Sequence, residues 1–333
     1  MSQMEHRTLG RTGREVSVVG LGTWQLGADW GEVSEADAMA VLEASAEAGV
    51  TFYDTADVYG DGRSEQLVGR FVAAHPDAGF TVATKMGRRM DQVPANYVEA
   101  NFRSWLDRSR KNLGVDTIDL VQLHCPPSEV IDDEATYDVL DRLVDEGVIA
   151  SYGVSVETCA QALSAIARPH VASIQIILNA FRMKPLDEVL PAASEAGVGI
   201  IARVPLASGL LSGKYDLDTT FAEDDHRTYN RDGNAFDVGE TFSGVDYATG
   251  VEAAREFSGL VSDAGLDITP AQAALAWIWQ QPGVSTVIPG ARNVSQAEAN
   301  AAAGLVGELP ASFLDGVRDL YNRRIREQVH GRW

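Results

Sequence analysis

Short apolar runs alternate with helical patterns along almost the whole of this chain, and that alternation limits its fold more than any other feature. Runs at 18–21, 50–53, from Phe80, from Ile118, and at 149–154, 172–178, 198–203 and 284–288 read as strands. Between them lie stretches with apolar residues at helical spacing. One has Val41 and Leu42 behind a Ser34–Asp37 start; another has Val98, Phe102, Trp105, Leu106 and Leu113 ahead of Gly114. Strands that take turns with helices assemble as a parallel sheet wrapped by helices. Eight such units predict a (β/α)8 barrel, with a doubly wound open sheet as the second choice. Residues 7–17 read as a hairpin plugging one end, and 311–327 as a tail helix. We expect residues 1–333 to form a single barrel domain with extra C-terminal helices.

A polar, irregular stretch from 215 to 247 interrupts the rhythm, and a segment this long inside a compact domain is usually functional. The net charge of −21, from 48 acidic against 27 basic residues, argues against partners with a phosphate backbone or an anionic bilayer. No apolar run is long enough to span a membrane and the N-terminus does not read as a leader. Cys125 and Cys159 are too few for a disulfide framework, which fits a reducing, cytoplasmic setting. Self-association stays open.

Four titratable residues stand at the ends of three successive strands or just past them: Asp54, Tyr59, Lys85 and His124. In a barrel such ends meet at one rim, where active sites are built. Each residue alone has an ordinary explanation, as a turn carboxylate, a packed phenol, a snorkelling lysine and a core histidine. Together they suit carbonyl reduction. A phenol supplies the proton if a nearby cation lowers its pKa, which Lys85 would do; Asp54 would hold Lys85, and His124 would orient the carbonyl oxygen. A metal hydrolase fits poorly, because the six histidines are scattered and make no paired motif. The segment Gly20-Leu-Gly-Thr-Trp-Gln lacks the third glycine of a dinucleotide fingerprint. Its glycines are expected to let the first loop pass close over a ligand.

The stretch from Gly49 to Gly60, with Ser64-Glu65 and Gly69, then Thr84-Lys85 and Gln122-Leu-His124, resembles the core motifs of the aldo-keto reductase family in order. The resemblance implies a nicotinamide cofactor lying across the rim, with Tyr59 as acid/base and Asp54, Lys85 and His124 completing a tetrad. It places Gly22, Thr23, Trp24 and Asp54 on the cofactor, Ser155 and Gln175 at its carboxamide, and Arg203 stacked on its ring. Pro205, Leu206, Ser208, Gly209 and Lys214 resemble a pyrophosphate loop. Gly290, Arg292, Gln296 and Asn300 resemble the adenosine end, where Arg292 would favour NADP(H) by meeting a 2′-phosphate. Val156, Arg203, Leu178 and Ala299 depart from commoner residues at their positions. Trp24, Trp30, Cys125 and the 215–247 stretch are expected to wall a site for a small carbonyl substrate, and the acidic stretch to disfavour multiply anionic ones. The alternative implied by the same resemblance is a cofactor-binding regulatory subunit with little turnover.

Overall fold

The computed structural model describes residues 4–27 and 33–333, so Trp30 lies outside the described residues. Strands β1 (His6–Thr8) and β2 (Glu15–Ser17) pair antiparallel, with Arg7 opposite Val16. Eight further strands follow: β3 (Leu21–Gly22), β4 (Phe52–Asp54), β5 (Thr81–Met86), β6 (Leu120–His124), β7 (Tyr152–Ser155), β8 (Ser173–Ile177), β9 (Gly199–Arg203) and β10 (Val284–Val287). They lie in the sheet in chain order, each parallel to the next. Bridges Val19–Val287 and Gly22–Gly290 join the first edge to the last, closing the barrel and excluding the open sheet.

Strand alternation explains how the barrel becomes a site. Leu9 and Val16 from the hairpin, with Phe52, Ala83, Leu120, Ile201 and Ile288 from the strands, form an apolar cluster of their own inside the barrel. Period two then points later residues of the same strands inward above that cluster: Asp54 above Phe52, Lys85 above Ala83, Gln122 and then His124 above Leu120, and Arg203 above Ile201. The hairpin plugs the other end, as expected. Gly10 (φ 48°) presses so closely on the start of β9 that a Cβ there would lie 2.1 Å from the Gly199 nitrogen.

The outer layer comprises α1 (Glu35–Glu47), α2 (Arg63–Ala74), α3 (Glu99–Leu113), α4 (Ser128–Asp132), α5 (Glu134–Asp145), α6 (Cys159–Ile166) and α7 (Val189–Ala196). After the short α8 (His226–Tyr229) it continues with α9 (Tyr247–Asp263), α10 (Pro270–Trp279), α11 (Val294–Ala302), α12 (Ala311–Leu320) and α13 (Arg326–Val329). A π-helical stretch, Tyr321–Ile325, links the last two into the expected tail. Helix α4 was not expected; its five residues are too few to show a period. Ser34 caps α1 by accepting from the Asp37 amide. The 20–22 glycines serve the barrel seam: a Cβ on Gly20 would lie 2.9 Å from the Phe52 carbonyl, and one on Gly22 3.0 Å from that of Ile288. Among the described residues no helix is long and apolar enough to cross a membrane.

Candidate active site

The four rim residues meet. Lys85 Nζ forms an ion pair with Asp54 Oδ1, donates to the Thr55 carbonyl at 2.9 Å, and lies 3.3 Å from the Tyr59 hydroxyl. Asp54 and Lys85 are both essentially buried, so the pair needs further polar support. It comes from two amides: Gln122 Nε2 donates to Asp54 Oδ2 at 3.0 Å and Gln175 Nε2 at 2.8 Å. Burial opposes the Lys85 charge, but Asp54 and Tyr59 outweigh it and hold the ammonium above its usual value. Tyr59 opens a tight turn, Tyr59–Gly62, whose Gly60 packs against Gly27 so closely that a Cβ would lie 2.1 Å from its carbonyl oxygen.

Burial pushes the Tyr59 phenol up, and Lys85 pulls it down without fully compensating. The lowering expected from Lys85 is therefore present, but outweighed in this state. His124 stands edge-on to Tyr59, ring centroids 6.0 Å apart. Burial, with Arg88, Lys85 and Arg203 nearby, drives its pKa well below the ordinary value, so the imidazole is neutral at pH 7. Its Nδ1 finds no hydrogen-bond partner among the described residues. The next residue, Cys125, holds a positive φ of 49°, a conformation costly for a side chain with a Cβ and concentrated at functional sites.

The residues expected around a cofactor divide into two groups. At the mouth of β10 they assemble: Gln296 Oε1 accepts from the Arg292 amide at 2.9 Å, Asn300 Nδ2 donates to the Gly290 carbonyl at 3.0 Å, and Asn293 caps α11. A helix start bearing arginine suits an anion. Val204, Ala207 and Ser208 all have positive φ, so the chain after β9, through Pro205, Leu206 and Gly209, makes a strained loop at the rim. Lys214 is exposed beyond it. The remaining residues have protein partners at the same rim. Thr23 is turned inward to the Asp54 carbonyl and Ser64. Gln175 serves Asp54, and Ser155 Oγ lies 3.3 Å from Cys125 Sγ.

The 215–247 stretch folds over this rim as a strap, tied at several points. Trp24 stacks on Tyr59 (6.0 Å, 20°) and packs against His226 and Phe236 of the strap. Ser208 Oγ accepts from the Phe242 amide at 3.0 Å and donates to the Glu240 carbonyl at 3.2 Å. Asp225 Oδ2 lies 3.9 Å from Arg292. Glu240 reaches into the mouth, 3.3 Å from Arg88 and 3.4 Å from Arg203. Glu157 meets the same two guanidiniums at 3.5 and 2.9 Å, completing a ring of alternating charge beside His124. Arg88, Glu157 and Glu240 were not expected here. Arg88 and Glu240 are 152 residues apart, and no local pattern joins them.

Comparisons with known proteins agree with this architecture. The Aldo/keto reductase family profile matches residues 18–322. The aldo-keto reductase YhdN of Bacillus subtilis is 30% identical over 300 residues, covering 89% of this chain and 87% of its own. A glycerol dehydrogenase structure from Gluconobacter oxydans superposes with a TM-score of 0.76 at 28% identity, covering 97% of this chain and 95% of that one. The fold is also that of an aldo/keto reductase from Klebsiella pneumoniae solved with NADP and acetate (TM-score 0.70, 23% identity, 96% and 95% covered). A barrel whose strand ends carry this rim, matched over nearly its whole length, belongs to the aldo/keto reductase family.

Proposed function

We propose that this chain reduces aldehydes or ketones to alcohols with NADP(H), Tyr59 giving the proton to the carbonyl oxygen. The observation that carries this is the contact chain Asp54–Lys85–Tyr59, buried at the rim beside a neutral His124. Residues for the cofactor also fit. Arg292 at the start of α11 suits a 2′-phosphate, and the buried Arg203 Nε has no hydrogen-bond partner among the described residues. The strap's Asp225 and Glu240 stand beside these two arginines and would have to yield. Gly22, Trp24, Ser155, Ser208, Gly209, Lys214, Gly290, Gln296 and Asn300 would line the remaining length.

Bound across this rim, NADPH would supply the hydride. The chain's own groups handle the oxygen. Uncharged His124 donates to the carbonyl oxygen without competing for the proton, and Tyr59 delivers its own proton as negative charge develops there. Lys85 is placed to stabilise the resulting phenolate, and Asp54, held by Gln122 and Gln175, keeps Lys85 charged and aimed. Proton donation of this kind is worth about 10² to 10⁴ in rate, and placement of the reactants supplies much of the rest. We assign one working barrel unit and a reducing, cytoplasmic setting, consistent with two free cysteines.

The test is cofactor oxidation by purified protein over a panel of aldehydes, ketones and sugars, with NADPH and with NADH. Turnover that favours NADPH is expected. Tight NADPH binding without turnover on any carbonyl would contradict it and favour the regulatory role.

A further inference from the structure

The ring of Arg88, Glu157, Arg203 and Glu240 has no part in the proton chemistry above. Its two guanidiniums come from the loop after β5 and the end of β9, and its carboxylates from the loop after β7 and from the strap. Arg203 is anchored: Nη2 donates to the Val156 carbonyl at 3.1 Å and to Glu157 at 2.9 Å, and lies 3.6 Å from Cys125 Sγ. Arg88 Nε lies 3.4 Å from the His124 carbonyl. Both guanidiniums therefore flank the strand end that carries the imidazole. The two acids differ in their mounting. Glu157 sits on the barrel, its amide fixed by Gln161 Oε1 at 3.0 Å. Glu240 ends the first of two short 3-10 turns of the strap, Val238–Glu240 and Phe242–Gly244.

We propose that Arg88 and Arg203 form a carboxylate-binding site that Glu240 fills in this state, and that the preferred substrates are aldehydes or ketones carrying one carboxylate. The inference rests on the reductase function proposed above. A side-chain rotation removes the Glu240 carboxyl while its backbone stays tied to Ser208. Two guanidiniums then face the single carboxylate of Glu157, a net positive site inside an acidic protein. Arg203 Nε, buried and without a hydrogen-bond partner among the described residues, adds a further donor. A small molecule with its carbonyl oxygen at Tyr59 and His124 presents its other end to this pair. Guanidinium N–H groups lie in the plane of the group, so holding a carboxylate at its edge leaves the face of Arg203 for the nicotinamide ring. The acidic strap thus marks, by its own occupancy, where a single anionic group is accepted. Burial raises Glu240 above its usual pKa, which eases its withdrawal, whereas Arg203 and neighbouring groups outweigh burial at Glu157 and hold it down.

The experiment compares 4-carboxybenzaldehyde with its methyl ester as substrates, and titrates benzoate and benzamide calorimetrically, for wild type, Arg88→Gln and Glu240→Ala. Wild type is expected to favour the acid over the ester by about tenfold or more in kcat/KM, as for a charge-assisted contact. Arg88→Gln should bring that ratio near one, chiefly through KM, and Glu240→Ala should tighten benzoate several-fold. Equal use of acid and ester by wild type, or an unchanged ratio in a folded Arg88→Gln, overturns the proposal. If Arg88→Gln does not fold, Glu240→Ala decides: unchanged benzoate affinity overturns it. If neither aldehyde is reduced, the reductase function fails, and benzoate binding that excludes benzamide still supports the carboxylate site, while its absence overturns that too.

Discussion

Gln175 donates its amide to Asp54 Oδ2 at 2.8 Å, across the barrel from β8 to β4. With Gln122 at 3.0 Å on the same oxygen, it leaves Oδ1 to face Lys85, so the orientation of the buried ion pair is set by two neutral amides. Replacing Gln175 by Leu removes one donor to the buried Asp54 carboxyl. We expect a stability loss of about 1–3 kcal/mol in urea unfolding, together with a lower kcat as Lys85 loses its alignment. A variant with unchanged stability and kcat would show that Gln122 alone suffices.

Asp57 makes a second, pH-dependent prediction. It is fully buried, and both carboxyl oxygens lack a hydrogen-bond partner among the described residues. Burial first, and Glu65 second, raise its pKa from 3.8 to about 7. A raised acid favours the fold when protonated: its contribution is full below about pH 4 and is lost as pH rises through about 7. Asp57→Asn, neutral throughout, should therefore gain stability relative to wild type as pH rises from 4 to 8, by up to roughly 4 kcal/mol. Thermal unfolding at pH 5 and pH 8 measures this. A variant equally destabilised at both pH values would contradict it.

Arg292 lies just before the Asn293 cap of α11 and is partly exposed at the far end of the rim. If it meets a 2′-phosphate, Arg292→Ala should weaken NADPH binding about ten- to a hundredfold, the worth of a charge-assisted contact. NADH binding should change little. Fluorescence titration of both cofactors gives the ratio, and equal losses would remove the argument for NADP(H) preference.

The barrel and the candidate proton relay were legible for one shared reason. Period two in the strands places Phe52, Ala83 and Leu120 in an apolar layer and lifts Asp54, Lys85 and His124 to the rim, so strand positions alone suggested the grouping. Strand limits were less legible. The 18–21 run reads as a strand, yet only Leu21–Gly22 pairs with β4, and Val19 makes a single bridge across the seam. Seam closure depends on partners at the other end of the chain. The charge ring was invisible for the same physical reason, since Glu240 comes from a stretch without period and finds Arg88 and Arg203 only through the fold. The bond from Gln175 to Asp54 depends on a cross-barrel distance that local pattern does not encode.

In the proposed reaction the Tyr59 hydroxyl, 3.3 Å from Lys85, gives the proton. Single-turnover reduction of a nitrobenzaldehyde by NADPH-loaded Tyr59→Phe tests it most directly, with NADPH affinity measured on the same preparation. Unchanged cofactor affinity and a hydride-transfer rate lowered about 10²- to 10⁴-fold are expected. A Phe variant that binds NADPH and reduces the aldehyde as fast as wild type would contradict it.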